Sequence, residues 1–177
     1  MTDMAADTPA PAPSSITGVG GAAPADGMQV QPDGSGYKQY VTFMVGDRAY
    51  GVDIVAVREI QQWSPTTALP NQPHYMRGVL NLRGTIVPVH DLRARFGGAE
   101  TEATENHVVV IVWIGEQTVG VLVDAVSDII GVHNEEIRPV PSSDTDLDQS
   151  SIGGLVTAES GMVALLDLDA LFGAPVL

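Results

Sequence analysis

The sequence predicts a mainly β protein with short helices, folded as two tandem five-stranded β-barrels packed together. Three observations carry that reading. After residue 36 the chain becomes a succession of short apolar runs punctuated by Gly, Pro and Asp, the spacing of a small barrel or sandwich. The chain also matches itself: Val41–Ile60 aligns without gaps with Val110–Ile129, an offset of 69 (110 − 41), placing Gly46 on Gly115, Gly51 on Gly120, Val57 on Val126 and Glu59 on Asp128. Farther on the offset becomes 76 (154 − 78), with Gly78 on Gly154, Asp91 on Asp167 and Phe96 on Phe172. A repeat of about sixty residues is small, and closing it as a five-stranded barrel leaves few free edges.

Residues 1–36 come first, dominated by Ala, Pro, Gly, Ser, Thr and Asp. They carry too little apolar surface to offset the entropy of ordering and read as a disordered tail. Gly18-Val19-Gly20-Gly21 has the look of a phosphate loop, but no strand precedes it and no helix follows. The first barrel is assigned to residues 37–98 and the second to 106–177, one domain overall. In each, a strand turns at Gly46 or Gly115 into a second strand through Gly51 or Gly120. An acidic bend, an extended piece ending at Pro70 or Pro139, a hairpin and a closing helix follow. Asn71–Gly78 reads as one helical turn, begun by Asn71 and ended by Gly78. Asp91 and Asp167 are placed to cap the closing helices.

Within this frame Gly78–Phe96 is the most informative stretch. Leu80 and Leu82 alternate with Asn81 and Arg83, Gly84 supplies a turn, and Thr85-Ile86-Val87-Pro88-Val89 runs on as a second strand. Gly84 takes φ > 0 cheaply, so the hairpin holds the Arg83 charge on a rigid tip. In the second copy Arg83 falls on Glu159 or Ser160, depending on one residue of register. The barrel therefore does not demand the cation, which makes Arg83 a candidate functional residue.

Composition narrows the function classes. The net charge is -14, from 22 acids against 8 bases, and Lys38 is the single lysine. Nucleic acid and anionic lipid both call for basic surface, so neither is an expected partner. The longest apolar run, Val108–Ile114, is far short of the ~20 residues that cross a bilayer. With no signal-like N-terminus and no cysteine, a cytoplasmic location is the default.

Catalytic and metal patterns are weak, and no cofactor is expected. His74, His90, His107 and His133 fall in separate elements and read as surface or turn residues. Asp144-Thr145-Asp146-Leu147-Asp148 resembles the start of a calcium loop, yet the positions that require Gly and Glu hold Gln149 and Leu155. An acid-catalysed hydrolase would need two carboxylates such as Glu59 and Asp128 facing one pocket. Trp113, inside an apolar strand, reads as core or inter-barrel packing; Trp63 sits in a loop.

Asn81-Leu82-Arg83-Gly84-Thr85-Ile86-Val87-Pro88-Val89, together with Tyr50-Gly51-Val52-Asp53-Ile54 through Glu59-Ile60 and Val119-Gly120 through Val123-Asp124-Ala125-Val126-Ser127-Asp128, resembles the CheW-type chemotaxis coupling proteins over roughly Lys38–Phe172. The resemblance implies two SH3-like barrels and a non-enzymatic cytoplasmic adaptor. It would join the signalling tip of methyl-accepting chemoreceptors to the regulatory domain of a CheA-type histidine kinase, in arrays under the membrane and without inserting into it. It maps the family's hairpin arginine onto Arg83 within Asn81, Leu82 and Gly84, and the contact positions at the first bend onto Ile54, Val57 and Glu59. On this reading the groove between barrels accepts a receptor helical hairpin with Arg83 at its rim. The alternative is a barrel that binds a peptide or small molecule in another signalling complex.

Overall fold

Gly46 and Gly115 stand at φ 60° and 58°, and each turns the first strand of its copy into the second. In the first copy β1 (Tyr37–Val45) and β2 (Arg48–Asp53) lead to a 3-10 turn at Ile54–Ala56, then β3 (Val57–Gln62), β4 (Met76–Leu82), β5 (Thr85–Asp91) and α1 (Leu92–Arg95). The second copy repeats the series as β6 (Val108–Ile114), β7 (Gln117–Val123), β8 (Ala125–His133), 3-10 turns at Asn134–Glu136 and Gln149–Ser151, β9 (Ile152–Ala158), β10 (Gly161–Leu166) and α2 (Leu168–Phe172). This structure is a computed structural model and describes residues 36–142 and 149–173. The tail before Gly36, its glycine run and the Asp144–Asp148 loop lie outside the described residues. Among those described, no helix is long and apolar enough to cross a membrane.

The strands form two five-stranded sheets, A in the order β8-β1-β2-β10-β9 and B in the order β3-β6-β7-β5-β4. Counted by position within the repeat, both read third, first, second, fifth, fourth. In each sheet the strands first and second in the repeat come from one copy, and those third, fourth and fifth come from the other. The assignment of residues 37–98 to one barrel and 106–177 to the next is therefore corrected: the copies exchange their first hairpins. Chain length explains why. For β8 to flank β6 on the side away from β7, the chain would have to cross a strand, about 10 Å. Asp124 alone links β7 to β8, and one residue reaches no more than about 7 Å between its neighbours. The third strand is thus delivered to the other sheet. Past each edge strand the chain returns to pair with the opposite edge, through Thr67–Val79 in sheet B and Arg138–Leu155 in sheet A. This closes both sheets into barrels.

Apolar side chains fill three spaces. Leu80, Val87, Val89, Val109, Ile111 and Leu122 pack within sheet B, and Tyr40, Val132, Val156, Val163 and Leu165 within sheet A. The largest cluster joins the sheets, with Val41, Phe43, Tyr50 and Val52 from one meeting Val110, Val112, Val119 and Val121 from the other. β6 is apolar throughout because Val109 and Ile111 face one core while Val110 and Val112 face another. Each closing helix sends an aromatic ring across to the other sheet: Phe96 stacks on Tyr50 at 5.3 Å and Phe172 meets His90 edge-on at 5.1 Å.

Both predicted caps are present. Asp91 accepts from the backbone N–H of Arg93 and Ala94, and Asp167 from that of Ala170. Asp91 is fully buried and also accepts from Thr101 N and Oγ1 at 2.6 and 2.9 Å. Two expectations are corrected. Asn71–Gly78 is no helical turn: Asn71 takes a left-handed φ of 58°, and Met76 and Arg77 are drawn into β4, with Met76 opposite His90. Gly78 is needed because a Cβ there would strike the Thr67 carbonyl. His90 is 4 % exposed rather than a surface residue. Burial first, and Arg95 second, lower its pKa to about 4, and its Nδ1 has no hydrogen-bond partner among the described residues.

Candidate protein-binding surface

The tip between β4 and β5 is a two-residue turn in which Arg83 and Gly84 both have positive φ, 50° and 88°. Leu82 pairs with Thr85 around it, which matches the twist of the flanking strands. Asn81 is exposed, and its Oδ1 accepts the Gly84 N–H at 2.8 Å. Leu82 is half-buried against the sheet B core. Asn81 and Gly84 thus build the turn, Leu82 anchors it, and Arg83 is presented with its side chain 80 % exposed. An L-residue at φ 50° is strained by roughly 1 kcal/mol, and arginine has no short side chain to ease the position as Asn would.

Arg83 Nη2 donates to Glu59 Oε1 at 3.2 Å. Glu59 belongs to β3 and Arg83 to the end of β4, the two edges of sheet B, so closure of the sheet brings them together. Ile60, 44 % exposed, follows Glu59 in β3, and Ile86, 61 % exposed, pairs with Asn81 two residues before Arg83. A fixed cation flanked by uncovered aliphatic side chains is the composition of a contact surface.

At the first bend the sequence reading named Ile54 and Val57 as contact positions. Ile54 and Val57 are half-buried and pack on the central core, whereas Val55 between them is 79 % exposed. The phase of the 3-10 turn decides this, and Asp53 sets the phase by accepting the Val55 N–H at 3.0 Å. Trp113 is corrected. It is 44 % exposed at the end of β6, and the Arg58 guanidinium lies 3.7 Å from its ring centroid. A β-bulge leaves Arg58 unpaired between Val57 and Glu59, which turns it toward the indole. Trp63 is half-buried on the sheet B core. Val55 and Trp113 line an open groove of about 660 Å³, with Tyr40, Leu165, Lys38, Asp53, Asp167 and Asp169 among its other walls. The groove lies where sheet A meets the end of β6. Glu59 and Asp128 stand on different sheets and do not form the shared-pocket pair that acid catalysis requires.

These features define a class: a duplicated β module that presents an exposed cationic tip and uncovered apolar side chains. A sequence profile of the CheW-like domain matches residues 39–176. The chain is 42% identical over 137 residues to the probable chemotaxis protein CheW of Rhizobium etli, covering 77% of this chain and 88% of that one. It is 41% identical over 138 residues to the chemotaxis protein CheW of Rhizobium meliloti, covering 78% and 89%. The crystal structure of the scaffolding protein TtCheW from Thermoanaerobacter tengcongensis superposes with a TM-score of 0.70 at 33% identity, covering 76% of this chain and 87% of that one. The chain belongs to the CheW family.

Proposed function

We propose that the chain is a non-enzymatic chemotaxis adaptor in the cytoplasm, holding the signalling tip of a chemoreceptor and the regulatory domain of a histidine kinase in one array. The observation that supports this best is Arg83: a strained, four-fifths exposed cation is kept at a position where the second copy of the repeat carries an acid. The groove holding Val55 and Trp113 takes the apolar face of a receptor helical hairpin. Arg83, Ile86, Ile60 and the edge of Glu59 meet a second partner surface, where the guanidinium gives charge-assisted hydrogen bonds to a carboxylate or backbone carbonyls. Holding both partners at once raises their effective concentration, so modest single affinities suffice for assembly.

The test is a pull-down with a receptor cytoplasmic fragment and the kinase regulatory domain, alone and together. Capture of the kinase on receptor beads only when the chain is present supports the adaptor. Arg83→Glu is expected to abolish that capture while leaving the circular dichroism spectrum unchanged; normal recruitment by this variant refutes the role given to Arg83.

A further inference from the structure

Because the two sheets share one strand order, each position on one has a counterpart on the other. In sheet B the edges β3 and β4 are tied by Glu59 and Arg83, 3.2 Å apart. Register settles the counterparts. Leu82 pairs with Thr85 around Arg83-Gly84, and Ala158 pairs with Gly161 around Glu159-Ser160, so Glu159 occupies the Arg83 position. Glu59 lies opposite Ile111 beside the bulged Arg58, and Asp128 lies opposite Thr42 beside the bulged Ser127. Asp128 is therefore the counterpart of Glu59. Where sheet B makes an ion pair, sheet A places two carboxylates.

Both carboxylates line a groove of about 460 Å³ between β8 and β9, together with Glu136, Gly131, Val132 and Val156. All eight Lys and Arg residues are among those described, and none forms an ion pair with Asp128 or Glu159. β8 and β9 are the outer strands of sheet A, paired with β1 and β10 respectively. Apart from the Arg138–Leu155 bridge that closes the barrel, their outward edges pair with no other strand among the described residues, which leaves room for an added extended segment.

We propose that this groove docks an extended, arginine- or lysine-bearing segment of another protein, whose cation supplies to Asp128 and Glu159 the charge that Arg83 supplies to Glu59 in sheet B. This site is separate from the Arg83 tip and the Trp113 groove and goes beyond the adaptor reading. Charge selects the occupant. Residues 1–36 contain Asp3, Asp7, Asp26 and Asp33 but no Lys or Arg, so the chain's own N-terminal segment lacks the required cation. A second copy brings a net charge of -14, which opposes its approach to a groove lined by carboxylates. A metal is not the occupant either, since no three His, Asp or Glu among the described residues are grouped to hold one.

The probe is the capped pentapeptide Val-Thr-Arg-Val-Thr, with its citrulline counterpart as control, titrated into the full chain and followed by backbone-amide NMR. The arginine peptide is expected to shift amides at residues 127–132 and 156–160, with the citrulline peptide at least about tenfold weaker. Glu159→Arg, which makes sheet A match sheet B, is expected to abolish binding and slow amide exchange along β8 and β9. Glu102→Arg, the same charge change on an exposed loop, is expected to retain binding. If Glu159→Arg does not fold, Glu159→Gln is expected to weaken the peptide severalfold. Equal binding of the two peptides, undiminished binding by the Glu159 variants, or equal loss with Glu102→Arg overturns the proposal. So does concentration-dependent self-association that vanishes with Arg83→Glu, because the groove would then belong to a second copy.

Discussion

The Arg83 guanidinium reaches across the seam of sheet B to the Glu59 carboxylate, 3.2 Å away, while keeping four-fifths of its own surface in water. An ion pair so exposed contributes little to stability, under about 1 kcal/mol. The turn that presents it is strained by a similar amount. Stability therefore does not account for arginine at this tip; on the proposed function, partner contact does.

Arg83→Asn separates the two effects. Asn-Gly suits a turn with two positive φ values, so the variant is expected to gain about 0.5–1 kcal/mol in urea unfolding. The same variant is expected to lose capture of the kinase on receptor beads. A less stable variant that still bridges the partners would contradict both halves of the argument.

Val55 and Ile54 are predicted to behave oppositely. Val55→Ser, on an exposed side chain, is expected to change unfolding free energy by less than about 0.5 kcal/mol and to weaken receptor-fragment binding. Ile54→Ala removes core packing and is expected to cost about 1–2 kcal/mol. Chemical denaturation beside a binding titration reads both.

His90 gives stability a pH dependence whose sign follows from its burial. Its pKa falls from 6.5 in the unfolded chain to about 4 in the fold. Between those values the unfolded chain takes up a proton that the folded chain refuses. The His90 contribution is complete above pH 6.5 and is lost as pH falls toward 4, by up to about 3 kcal/mol. Urea melts of the wild type and His90→Leu from pH 7 to 4 are expected to diverge below 6.5, with the wild type losing more. Parallel curves would contradict this.

Two glycines rank in order. At Gly78 an added Cβ meets the Thr67 carbonyl and φ is 127°, so Gly78→Ala is expected to cost roughly 2–4 kcal/mol. At Gly46 an added Cβ meets no described atom within 4 Å and only φ 60° resists a side chain, for about 1 kcal/mol. Midpoints of denaturation test the order.

Much of this architecture was legible because its signals are local. Glycines at 46, 84 and 115, the capping Asp91 and Asp167, and alternation in Leu80–Leu82 each act within a few residues of where they sit. The hairpin exchange was not legible, because a repeat shows that two segments form like strands but not which copy each strand joins. The single residue between Val123 and Ala125 decides that, and its meaning depends on strand boundaries that only the fold fixes. Ile54 and Val55 are equally apolar in sequence; the phase of one 3-10 turn separates them. Trp113 sits in an apolar run, but near the strand's end, where Arg58 covers one face of the ring. His90 is buried by Phe172, which approaches from the far end of the chain.

The most direct test of the adaptor is sedimentation of a receptor fragment assembled on vesicles, with the kinase regulatory domain and this chain added singly and together. The account predicts that the kinase domain pellets only when the chain is present, and that the chain pellets with receptor whether or not kinase is there. Receptor and kinase domain competing for the chain, so that each displaces the other from the pellet, would contradict it.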